Sequence, residues 1–220
     1  MRKAVSWISV CGMLIGACVL NAPALAQVAG NCATPAAERA GELGCYVDAE
    51  VTLGELPKSP VFWHLYNYPD RAAAKAVKAP HGTVVEAFGK VWLYAIAEKK
   101  WHPSSGTKVA VVGPFKTIPG KQYSARYMEA ALNSGMHARV HLHSGPEAFY
   151  LVSGAQCLET PQGITITKAG DSAIAAEGDL MTVQSVGNDV RRAVVLVLHD
   201  VSQPWQTLSS DWTPKGSCPN

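Results

Sequence analysis

From Thr83 onward the chain is written in short runs of β-prone residues separated by turn residues, and that rhythm leaves little room for anything but an all-β fold. Val84 to Phe88, Val91 to Ile96, Lys108 to Val112 and Tyr123 to Ala130 are apolar or alternating runs. Gly89, His102 to Gly106, Gly113-Pro114 and Pro119-Gly120 stand between them, each a stretch where turn chemistry outweighs strand propensity. The same pattern resumes over residues 156–159, 163–167, 180–185 and 192–199. Regular spacing of strands and turns predicts a barrel or a jelly-roll sandwich.

The segment before Thr83 reads differently. Thr34-Pro35 has the form of a helix cap followed by proline at the first helical position, and Ala36 to Leu43 continues it, which predicts a short helix. Residues 46–60 carry Gly54, Pro57 and Pro60 and read as an extended connector. Alanine-rich Asp70 to Lys78 predicts a second helix, ended by Pro80.

One stretch concentrates the chemistry. His141 and His143 are two apart, so on an extended strand their imidazoles leave the same face. Ser144-Gly145-Pro146 reads as a turn, and Glu147 opens a second run, Ala148 to Val152, whose first carboxylate can return to where the imidazoles converge. Two nitrogens and one carboxylate form a facial set that suits Mn, Fe, Zn, Ni or Cu and leaves coordination positions open.

Gly135, His141, His143, Glu147 and Gly154 have the spacing of the first signature motif of the cupins, which residues 135–154 resemble without a gap. A second motif is expected downstream. Gly170 and Gly178 keep its frame, whereas Ala176 stands for its proline, Met181 for its histidine ligand and Ser185 for its asparagine. The resemblance implies a mainly β chain, a cupin-type double-stranded β-helix (jelly-roll) barrel with short N-terminal helices, a divalent metal on His141, His143 and Glu147, and a homodimer. A thioether is a poor donor to a hard divalent ion, so Met181 reads as wall rather than ligand. The implied layout is a leader at 1–26, an extension at 27–82, additional strands at 83–106, the barrel at 107–202 and a tail at 203–220.

The ends and the composition bound the cellular setting. Arg2 and Lys3, the apolar run Ala4 to Leu20 and the small residues ending at Ala26 form an export signal, which predicts a periplasmic or secreted chain starting at Gln27. Ile15-Gly16-Ala17-Cys18 also resembles a lipoprotein box, so a membrane partner depends on lipid at Cys18. Removing residues 1–26 takes two of the 19 basic groups and none of the 17 acidic ones. The neutral balance that remains argues against nucleic acid as a partner. Cys32, Cys45, Cys157 and Cys218 survive cleavage and allow three connectivities. Nearness in sequence favours Cys32 with Cys45, while Cys157 with Cys218 would pin the tail.

Several other residues compete for roles. Tyr123, Tyr127, Phe149, Leu151 and Met181 are candidates to line an apolar cavity beside the metal. Glu129, His137 and Tyr127 are candidates for proton transfer, with His137 expected at the rim. His199 reads as a strand-end residue able to enter a pocket. Lys99-Lys100 and Arg191-Arg192 read as solvated strand ends. Two functions follow: a metal-dependent enzyme of dioxygenase or isomerase type acting on a small molecule, or a metal-free binding or structural module.

Overall fold

The computed structural model describes residues 32–58 and 60–219. The leader expected at 1–26 lies outside the described residues. Among the described residues there are fourteen strands, β1 (Gly44–Glu55), β2 (Val61–Tyr68), β3 (Thr83–Ala87), β4 (Lys90–Ala97), β5 (Thr107–Phe115), β6 (Gln122–Leu132), β7 (His141–Leu142), β8 (Glu147–Ser153), β9 (Ala155–Thr160), β10 (Gly163–Lys168), β11 (Ser172–Ala175), β12 (Thr182–Val186), β13 (Arg191–Asp200) and β14 (Thr207–Leu208). They stack as β-sheet layers, and the middle layer is the antiparallel sheet β1-β6-β13-β8-β11.

The middle sheet is apolar on both faces, as a sheet covered on both sides must be. On β13, Val194, Leu196 and Leu198 join one core cluster, while Ala193, Val195 and Val197 join another. The first cluster lies against the outer sheet β3-β4-β2-β5, where Trp63 and Tyr94 meet edge to face at 5.1 Å and Tyr94 lies 4.9 Å from Tyr127. The second cluster lies under β10-β9-β12 and the β14-β7 pair, which the bridges His137 to Gln184 and His141 to Met181 tie together. The site belongs to this second face.

Several sequence expectations are corrected here. The sheets are not closed into a barrel. No α-helix forms over 36–43, where only a 3-10 turn, Ala36–Glu38, is present. The second predicted helix shrinks to α1, Arg71–Lys75, capped where the Asp70 side chain accepts from Ala73 N. The supposed connector is largely β1, which pairs along the whole of β6 and forms an edge of the middle sheet. Its polar residues and Gly54 hid it, because an edge strand needs backbone partners more than apolar side chains. Conversely β5, expected in the barrel region, belongs to the outer sheet beside β2. Both expected cysteine pairs are within disulfide distance, Cys32 with Cys45 and Cys157 with Cys218. Among the described residues no helix is long and apolar enough to cross a membrane.

Candidate metal centre

Three strands and one turn carry the site. β7 is short, and His143 lies just beyond it, at the entry to the turn Ser144-Gly145-Pro146. That turn folds back tightly because Gly145 has no side chain: a Cβ there would overlap the Leu198 carbonyl oxygen. β8 then opens on Glu147, whose Cα partner on β13 is Val197. Strand alternation puts Glu147, Phe149 and Leu151 on the second face of the middle sheet.

The three side chains converge. One ligand atom from each of His141, His143 and Glu147 lies within 4.8 Å of the others, and all three residues are buried. The imidazoles cross at 81° with ring centroids 4.8 Å apart. Nδ1 of His141 lies 2.7 Å from the Arg139 carbonyl oxygen, and Nδ1 of His143 lies 2.7 Å from that of Trp205. A carbonyl only accepts, so both Nδ1 atoms carry protons and both Nε2 atoms are free to face the centre. Fixing a histidine by this second hydrogen bond is how metal-ligating imidazoles are held.

Electrostatics of the set follow from burial and from the single carboxylate. His143 Nε2 and Glu147 Oε2 are 3.3 Å apart yet not aligned as a hydrogen bond, so both are buried polar atoms without a hydrogen-bond partner. Burial disfavours charge on His143, but the Glu147 carboxylate outweighs it and raises the imidazole above its ordinary value of 6.5. Burial pushes Glu147 up, and the two histidines with Arg191 more than reverse this, so the carboxyl ends below its ordinary value. His141, for which burial dominates, is lowered. An anionic carboxylate facing a neutral imidazole and an imidazole drawn toward charge is a set that would suit a divalent cation, which His141, His143 and Glu147 would hold through their Nε2 and carboxylate oxygen atoms.

Met181, at the fourth-ligand position of the second motif, pairs main chain to main chain with His141 and is buried in the apolar cluster outside the cavity lining. Phe149 does line the cavity, of about 90 Å³. Tyr127 does not, and this corrects the expectation. Across the sheet, Phe149, Val195 and Met128 form one row on the site face, whereas Ala148, Leu196 and Tyr127 form the next row on the opposite face. Tyr127 is packed against Trp63 and Tyr94, where burial raises its phenol. Met128, one residue on, lines the cavity instead. The proton-transfer candidates also disperse: Glu129 pairs with Arg39 and accepts from Phe88 N at 3.2 Å, and His137 is partly exposed outside the lining. His199 is buried beside Glu50, 3.5 Å away, and does not reach the cavity.

Two residues were missed. Arg191, read as solvated, is 2 % exposed and lines the cavity. Its parity with Ala193, Val195 and Val197 was the available signal. Nε and Nη2 both donate to Gln156 Oε1, at 3.0 and 2.6 Å, and the guanidinium lies 5.7 Å from the Phe149 ring centroid. Burial lowers it to about 10, with Glu147 opposing, which keeps it cationic at neutral pH. Trp205 comes from the tail: it stacks on His143 at 5.6 Å, with Arg126 4.4 Å over its ring centroid. The tail crosses here as a strap, with β14 paired to β7 and Ser144 Oγ donating to the Pro204 carbonyl at 2.9 Å.

No family model matches the sequence, and no curated protein matches it. Among solved structures the chain is similar to an uncharacterized conserved protein with a double-stranded β-helix domain from Klebsiella pneumoniae, at 19% identity and TM-score 0.35, over 40% of this chain and 76% of that one. It is similar to a cupin-like protein from Thermotoga maritima at 12% identity and TM-score 0.36, over 39% and 64% of the two chains. It is also similar to a DMSP lyase from Ruegeria pomeroyi at 15% identity and TM-score 0.35, over 44% and 46%. This chain thus spans less than half of the lyase.

Proposed function

We propose that this chain is an exported cupin-type metalloprotein that holds one divalent transition ion on His141, His143 and Glu147 and acts on a small molecule in the adjoining cavity. The observation that carries the reading is the pair of Nδ1 bonds to the Arg139 and Trp205 carbonyls, which leaves both Nε2 atoms turned to a carboxylate within 4.8 Å. When bound, such an ion would act as a Lewis acid toward a substrate oxygen or water at its open positions. The protein's own part is to hold the three donors, exclude water with Phe149, Val195 and Trp205, and bind the substrate's remaining atoms. The described lining contains no other carboxylate or imidazole, so polarisation by the ion accounts for catalysis better than a separate acid and base pair. Export is supported by the leader and by two cysteine pairs at disulfide distance.

A second reading, a metal-free binding module, draws on Met181, since the position that would supply a fourth donor holds a thioether buried in the apolar cluster outside the cavity lining. Metal content separates the two. Near-stoichiometric metal in the exported full-length protein, absent from His141→Ala/His143→Ala of the same melting temperature, supports the metalloprotein. Equal metal in both, or none in either, rejects it.

A further inference from the structure

The cavity is asymmetric in charge. One carboxylate, Glu147, lines it, together with the buried guanidinium of Arg191 and the exposed Arg139. Among the described residues Glu147 is the carboxylate that acts on Arg191, and a metal on the triad would draw on that same carboxylate. With a divalent cation on the triad, Arg191 is left as a buried positive charge with no anion of its own. Burying unpaired charge among Met128, Phe149, Val183 and Val195 is strongly unfavourable, so the loaded pocket calls for an anionic occupant.

The donors point to the same ligand. Gln156 Oε1 takes Nε–H and one Nη2–H of Arg191, which leaves Nη1 and the second Nη2–H as an end-on fork for another acceptor. Arg191 therefore offers free N–H donors at the cavity, beside the apolar Phe149 and Val195. A guanidinium fork matches a planar carboxylate.

Building on the metalloprotein reading, we propose that Arg191 is the specificity residue of this site and that its substrate is a short-chain carboxylate, the acid group on Arg191 and the chain running past Phe149 toward the metal ligands. A cavity of about 90 Å³ suits a short chain. A charge-assisted hydrogen bond contributes roughly 1.5–3 kcal/mol, which is about tenfold or more in affinity.

The test is calorimetric titration of the full chain with butyrate and with butyramide, in the metal-loaded and the chelator-treated protein, beside Arg191→Gln and Arg191→Lys. The expected result is butyrate bound at least about tenfold more tightly than butyramide by the loaded wild type. That preference should be lost in Arg191→Gln and partly kept in Arg191→Lys, with metal content unchanged in both. Equal affinity for acid and amide in the wild type, which needs no variant to fold, overturns the proposal, as does an undiminished preference in Arg191→Gln. If no metal loads, the metalloprotein reading falls separately. The chelator-treated arm then decides: a preference for butyrate that depends on Arg191 upholds the carboxylate subsite, and no preference rejects it.

Discussion

Single residues in this molecule are tuned by which face of the middle sheet they occupy. Asp48 on β1 has both carboxyl oxygens buried without a hydrogen-bond partner. Burial, with the charge of Glu129 adding and Arg39 opposing, pushes its carboxyl from 3.8 up to about 8. Over that interval the unfolded chain has released a proton that the folded chain still holds, so stability falls as pH rises through it and levels off above the upper value. Asp48→Asn should remove this dependence. We expect its melting temperature to exceed the wild type's by about ten degrees or more at pH 8, on the order of 5 kcal/mol, and to match it near pH 3.5. A gain that is constant with pH in thermal melts would show that the residue is not protonated in the fold.

Elements are held to one another by close backbone approach as much as by apolar area. The turn between β7 and β8 can lie on β13 because Gly145 faces the Leu198 carbonyl, while Leu198 N and Asp200 N donate to the Pro146 and Ser144 carbonyls at 3.0 and 3.3 Å. Gly145→Ala must move that turn, and with it the relation of His143 to Glu147. It should destabilise the protein by roughly 3 kcal/mol or more in urea unfolding and weaken metal binding at least about tenfold. Gly41, with nothing within 4 Å, is the control, and Gly41→Ala should change neither. At this scale too the alternation of β6, β8 and β13 explains why Met128 and not Tyr127 meets the cavity. When both faces of a strand are apolar, the residue types no longer say which face is which, and the covering layers decide.

At the scale of the whole molecule the tail completes the site. Trp205 supplies the carbonyl that fixes His143, and beyond it Lys215 N donates to Glu159 Oε1 at 2.7 Å and Cys218 is tied to Cys157 across 61 residues of sequence. Cross-linking a loop of that length contributes about 4 kcal/mol in the chain-entropy account. Cys157→Ala/Cys218→Ser should therefore unfold at markedly lower urea, lose its tail first to limited proteolysis, and bind metal roughly 10–100-fold more weakly as His143 loses its second partner. Intact metal affinity with a cleaved tail would show that the strap does not hold the histidine. The local features were legible without coordinates: most strands, because turn residues punctuate them, and the triad of His141, His143 and Glu147, because two residues apart on a strand and a tight turn suffice to bring them together. What only the tertiary structure decided was the outer sheet that buries Tyr127, the open stacking in place of a closed barrel, the pairing that makes β1 a strand, and the burial of Arg191. Each depends on contacts between segments far apart in the chain, and burial is a property of what covers a residue, which its own neighbours in sequence do not encode.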